Sequence, residues 1–180
     1  MLVLFEINRA IYHLDDLPDG LVFARMCAQN SSGVFAREFT QIGRTVEIGV
    51  ASGQLISVSF PDTLTQNINQ THPLLDRISA YLDGAQDSFN DVAIALTVPT
   101  TERRVLLALR KVSYGESVTV SRLTRMSGGD PDSPDDLEQV ITALRENPIP
   151  IIIADHRVEG GPYATPSRCR DQLQQIENKL

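Results

Sequence analysis

The sequence predicts an α+β fold in two parts, 1–95 and 96–180, and three observations carry that prediction. Strand-like apolar runs crowd the first part, and a single helical period near 73–82 interrupts them. Helix-start and helix-stop signals crowd the second part. The expected architecture is a small antiparallel sheet domain with one helix, then a helical domain with a helix-turn-helix-like DNA-binding pattern.

Taken in order, 2–7, 21–28 and 33–39 are the first candidate strands. Strands at 46–50 and 55–60 form the clearest pair, a hairpin joined by Ala51, Ser52, Gly53 and Gln54. A helix follows over 73–82, because Leu74, Leu75, Ile78 and Leu82 recur at helical spacing and Gly84 stands just past the end. Residues 87–99 connect the parts, with one short strand expected at 92–96.

Thr100 or Thr101 then caps a helix running to about 112, with Val105, Leu106 and Leu109 inward. Thr119 caps a short helix ending near Met126, before Gly128 and Gly129. Ser133 as cap, Pro134 at the first helical position and Asp135 and Asp136 in the first turn agree on the next helix start. Leu137, Val140, Ile141 and Leu144 form its expected buried stripe, and Asn147-Pro148 ends it. A last helix over 167–180 carries Cys169, Leu173, Ile176 and Leu180 on one face.

A hydrophobic share of 42% and a charged share of 22% are those of an ordinary soluble globular chain. No apolar run approaches the ~18 residues of a membrane span. The apolar start is short, lacks a basic lead and meets Glu6, so a first strand is expected rather than a signal peptide, and a cytoplasmic location with it. Cys27 and Cys169 lie far apart and form no ligand spacing with His13, His72 or His156, so no metal and no cofactor are expected. Both read as buried thiols rather than a disulfide. The net charge of −7 comes with fourteen Arg but only two Lys, Lys111 and Lys179, a halophile-like balance. It argues against strong nonspecific DNA binding, which needs cations on phosphates.

From 147 the chain reads Asn-Pro-Ile-Pro-Ile-Ile-Ile-Ala-Asp-His-Arg-Val. This resembles, residue for residue in spacing, the active-site signature of the alkylguanine-DNA alkyltransferases, Asn-Pro-x-Pro, three apolar residues, then Pro-Cys-His-Arg-Val. Ser113-Tyr114-Gly115-Glu116 is similar to the turn before that family's helix-turn-helix, and Gly160-Gly161-Pro162-Tyr163 to its pocket loop. The last helix, with Glu177, is similar to its closing helix, and Tyr81-Leu82-Asp83-Gly84 to a helix end in its N-terminal half. The resemblance implies a base pocket at Tyr114, Gly160, Gly161, Tyr163 and Ala164, a hinge at Asn147 and Pro148, and a DNA face at Val120, Arg122, Arg125, Glu138, Gln139, Thr142 and Arg145.

The departures are as informative. The family accepts the alkyl group on a cysteine thiolate activated by a histidine and a glutamate. Here Asp155 takes that position beside His156 and Arg157, with Glu177 kept. A carboxylate is a poor nucleophile toward an O-alkyl carbon, so the expectation is a non-enzyme that transfers no alkyl group. The tyrosine that turns out the target nucleotide falls on Val120, the arginine that fills the gap on Glu138, and two small groove-entering residues on Gln139 and Ile141. The acidic first turn of that helix competes with phosphate for its N-terminus.

Each residue also has a plainer role. Asp155 is either a pocket floor that accepts from an amino group, favouring an adenine-like edge, or a carboxylate held by His156 or Arg157. His156 and Arg157 read as a structural network, and Tyr114 and Tyr163 as packing or ligand contacts. Glu177 is open to a weak surface ion pair. Two functions stay in view. One is a non-catalytic alkyltransferase-like binder of double-stranded DNA that holds a flipped or modified base in DNA repair. The other is a repurposed domain whose acidic helix binds a repair or other protein partner. Hydrolysis by Asp155 and His156 has only adjacency behind it.

Overall fold

The computed structural model describes residues 4–7, 10–13, 32–64 and 68–178. Strands β1 (Leu4–Ile7) and β2 (Ala10–His13) pair antiparallel, Leu4 against His13. The expected 2–7 strand falls on β1, whereas β2 was not foreseen. The expected strand at 21–28, Cys27, Lys179 and Leu180 lie outside the described residues.

Val, Ile and Phe are concentrated over 33–59, a composition that suits pleated, half-buried surface. Strands β3 (Gly33–Phe39), β4 (Arg44–Ala51) and β5 (Gln54–Ser59) form an antiparallel sheet in that order. The expected four-residue hairpin loop is two residues long: Ala51 pairs with Gln54, and Ser52 and Gly53 turn at φ 49° and 72°. Two left-handed residues match the right-handed twist of the strands, which lets the ladder run one pair further than expected.

The register places Phe35, Ile48 and Val58 in one row. All three are buried, and that face packs with Leu74, Leu75, Ile78, Tyr81 and Leu82 of helix α1 (Pro73–Leu82) in the core. Burying a side chain of this size stabilises the fold by about 1.5–3 kcal/mol. His72 caps α1, its Nδ1 accepting from Leu74 N–H at 3.1 Å. The expected strand at 92–96 is only an isolated bridge between Leu55 and Ile94. Arg77 and Arg110 hold this connection: Arg77 reaches Asp87 and Asp91, and Arg110 donates to the carbonyls of Phe89, Asn90 and Val92. Of these acceptors only Val92 O belongs to the expected strand, and Arg110 occupies it.

Helix α2 (Thr100–Leu109) begins after Pro99, with no side-chain cap from either threonine, and stops before 112. Its end tightens into shorter bonds, Lys111 N–H to Ala108 and Val112 N–H to Leu109. A two-residue strand β6 (Val118–Thr119) leads into α3 (Val120–Met126), capped as expected by Thr119 through Arg122 N–H at 3.2 Å. Ser133 caps α4 (Pro134–Arg145) through Asp136 N–H at 3.3 Å. The buried stripe of α4 is Val140, Ala143 and Leu144; Leu137 and Ile141 are only half-buried. Packing of α4 against α2 and α3 turns those two side chains to the rim. After a short 3-10 turn (Asp155–Arg157), strand β7 (Val158–Glu159) pairs in parallel with β6, and α5 (Ser167–Glu177) closes the chain. Its buried face is Cys169, Leu173 and Glu177, with Ile176 half-buried.

Candidate functional site

Four isoleucines between Asn147 and Ala154 are buried, so the segment is anchored in the core rather than looping over the surface. Asn147 braces it from within: Nδ2 donates to Ile153 O at 2.8 Å, and Oδ1 accepts from Ile149 N–H at 3.2 Å. A left-handed Ile151 (φ 73°) makes the reversal. Pro148 O accepts from Val58 N–H at 2.8 Å, which ties the segment to β5. The 3-10 turn is therefore delivered to a defined place between sheet and helices.

On that turn Asp155 is fully buried (0% exposed), as are its two neighbours. Neither His156 nor Arg157 holds its carboxylate. Thr165 does, through N–H to Oδ2 at 2.9 Å and through its hydroxyl to Oδ1. Burial pushes the Asp155 carboxyl up from the ordinary range, and the Thr165 bonds offset part of that push. Thr165 belongs to the loop after β7, so Asp155 pins that loop from beneath. The same loop is docked on α4, with Ala164 N–H donating to Leu144 O at 3.1 Å. A side chain at Gly161 would stand 3.1 Å from Leu144 and 3.7 Å from Val120, so the loop lies directly on both.

Glu177 departs furthest from expectation: it is a buried hub rather than half of a surface pair. Arg157 Nη2 donates to Oε1 at 2.7 Å and Nε to Oε2 at 3.0 Å, while Nη1 donates to Val112 O at 2.7 Å. Gly115 N–H reaches Oε2 at 3.2 Å. Tyr81 donates its hydroxyl to Oε1 at 2.6 Å, and His156 Nε2 stands 3.2 Å from the same oxygen. Burial raises the Glu177 carboxyl, but the bonds from His156 and Arg157 outweigh it and hold the group well below the usual carboxylate range. Burial and the Glu177 charge push the Tyr81 phenol far up. Gln174 adds a bond to His156 O at 2.7 Å.

The remaining pocket candidates are structural in their contacts. Tyr163 donates to Val158 O at 2.8 Å, and Arg170 lies over its ring at 4.5 Å. Tyr114 donates to Ile176 O at 3.4 Å and packs edge-on against Tyr81. A cavity of about 230 Å³ opens beside the hub, lined by Gly115, Glu116, Ser117, His156, Glu159 and Glu177 among others, and not by Asp155. On the outer face Arg122, Arg125, Glu138 and Arg145 are exposed, and Val120, Gln139 and Thr142 half-buried. Sequence reasoning missed Tyr81 and Thr165 as members of this constellation. The first is a core position of an amphipathic helix and the second a loop threonine, and neither type announces a buried partner. Among the described residues no group of three or more His, Cys, Asp or Glu is placed to hold a metal ion, and no helix is long and apolar enough to cross a membrane.

A three-stranded sheet, a helix-turn-helix-like pair and a buried His–Arg–Glu hub on a closing helix define the class: an α+β protein of the alkyltransferase fold. Residues 100–174 match the family described as 6-O-methylguanine DNA methyltransferase, DNA binding domain. The chain is 30% identical over 111 residues to the methylated-DNA–protein-cysteine methyltransferase of Metallosphaera sedula, covering 59% of this chain and 67% of the relative. Its likeness to the enzyme of that name from Methanothermobacter thermautotrophicus is 28% over 147 residues, or 73% of this chain and 80% of the relative. Mycobacterium tuberculosis O6-methylguanine methyltransferase superposes with a TM-score of 0.64 at 19% identity, over 81% of this chain and 92% of the other. The same organism's OGT in complex with DNA gives 0.63 at 20%, with the same coverage. The chain belongs to the methylated-DNA–protein-cysteine methyltransferase family.

That membership corrects the expectation of a non-enzyme. The relatives carry the names of enzymes, and a cysteine, Cys169, is present among the described residues. The expectation rested on position 155 alone, whereas the thiol of Cys169 lies on α5, on the buried face that also carries Glu177. Burial pushes that thiol up, and its Sγ stands 4.0 Å from Ile42 O.

Proposed function

We propose that this chain acts in DNA repair by associating with double-stranded DNA, and that its site takes a flipped or modified base, with Asp155 standing at the acceptor position of the family motif. The observation that carries this reading is the capped α3–turn–α4 pair packed on α2, with Arg122, Arg125 and Arg145 exposed for phosphates. A buried carboxylate accepts hydrogen bonds, but both Asp155 oxygens are taken by Thr165, so the amino edge of a base would reach Asp155 only by displacing that clasp.

Asp130, Asp132, Asp135 and Glu138 are exposed around the same turn, and this favours a second reading, a basic protein partner. With Asp136 the local count is five carboxylates against three arginines. Duplex binding would then be weak, with a shallow salt slope, because few counterions are released. Asp136 itself is committed to the fold, accepting from Asp130 N–H at 2.7 Å, so it is left intact in the test. Fluorescence anisotropy with a duplex carrying a modified base should show Asp135→Asn with Glu138→Gln binding roughly two- to tenfold tighter at low salt. Unchanged affinity in a folded variant would remove groove binding by α4 and leave the partner reading.

A further inference from the structure

Tyr81 sits on α1, in the sheet-side part of the chain, yet its hydroxyl reaches the centre of the buried hub. It lies 2.6 Å from Glu177 Oε1 and 3.3 Å from His156 Nε2, while Nε2 is 3.2 Å from that same Oε1. We propose that Tyr81 is a positioning residue: with Glu177 it holds the His156 ring with its proton on Nε2, leaving Nδ1 as the acceptor the site offers to a ligand's N–H or O–H donor.

The placement of the proton follows from donor and acceptor bookkeeping. An ionised carboxylate only accepts, so the hydrogen in the 2.6 Å contact is the phenol's own. With that single proton committed to Glu177, the Tyr81 oxygen turns lone pairs toward Nε2. Nε2 therefore faces two oxygen acceptors, and a bare ring lone pair there would meet repulsion from both. A neutral imidazole protonated at Nε2 carries its lone pair on Nδ1. Nδ1 of His156 is the ring atom that is buried without a hydrogen-bond partner among the described residues. Arg157 does not compete for it, being taken up by Glu177 and by Val112 O.

The charged and titratable groups around the ring are Asp155 and Arg157 on its own turn, Glu177 on α5, Tyr81 on α1, and Tyr114, whose ring meets that of Tyr81 at 5.9 Å. None of them donates to Nε2: the Arg157 bonds run to Glu177 and Val112 O, and the Tyr81 proton to Glu177.

Ring nitrogens of the ¹⁵N-labelled full chain report the tautomer directly in long-range ¹H–¹⁵N spectra at alkaline pH, where an imidazole is neutral; a His156→Asn variant assigns the signals. The expected wild-type result is a protonated Nε2 and a lone-pair Nδ1. Tyr81→Phe removes one of the two acceptors and leaves Glu177 to Arg157, so the Nε2–H to Nδ1–H ratio should fall by roughly two- to tenfold. A purely space-filling tyrosine would leave that ratio where it was, and unchanged ring signals in a folded Tyr81→Phe protein would overturn the proposal. A wild-type ring protonated at Nδ1 would overturn it without any variant.

Discussion

Asp155 and Glu177 are two carboxylates buried in one site, yet their surroundings treat them in opposite ways. Glu177 is met by a guanidinium, an imidazole, a phenol and a backbone N–H, and its charged form is favoured despite burial. Asp155 is met by the two donors of Thr165 and, among the described residues, by no cation within bonding distance, and burial wins. The difference shows what a buried acid requires. The Thr165 bonds only temper the desolvation cost at Asp155, whereas the imidazole of His156 and the guanidinium of Arg157 together reverse it at Glu177. One region is a completed network; the other is a clasp that holds a loop.

The largest expected effect falls on the completed side. Arg157→Ala leaves the Glu177 charge buried without its cation, and denaturant titration should show a loss of about 3–5 kcal/mol. A loss below about 1 kcal/mol would mean the carboxylate finds water or another partner, and the contrast with Asp155 would weaken.

On the clasp side, Thr165→Val removes the hydroxyl donor but keeps shape and backbone N–H. A cost of about 1.5–3 kcal/mol is expected for a bond to a charged group, with faster amide exchange over 160–166. Unaltered exchange there would show that Asp155 does not pin the loop.

The two acids should also leave opposite marks on stability against pH. The folded Glu177 value is depressed, so its contribution is full above the ordinary carboxylate range and is lost as pH falls through the folded value. The folded Asp155 value is raised, so the native state holds its proton longer, and stability falls as pH rises from the ordinary range to the raised value. Glu177→Gln should therefore flatten the acid limb, and Asp155→Asn the decline above it, in thermal melts taken across pH. Identical profiles for the two variants would erase the distinction.

Much of the scaffold was legible in the residues themselves. The hairpin, α1, the Thr119 and Ser133 caps and the Asn147 to Val158 motif all depend on neighbours within a few positions, where turn chemistry and periodicity act. The errors have equally local causes: Pro99 displaced the threonine caps, and at 92–96 only one bridge to β5 forms, with Arg110 occupying the carbonyl of Val92 at its start.

By itself, then, the sequence determined the order and type of most elements, the family motif and the residues His156, Arg157 and Glu177. Only the tertiary structure decided who their partners are. Tyr81 meets Glu177 across 96 positions, and Thr165, not a cation, holds Asp155. Such pairings are set by how α1, α5 and the loop after β7 pack together, and the electrostatics of a buried acid depend on that packing rather than on its neighbours in the chain.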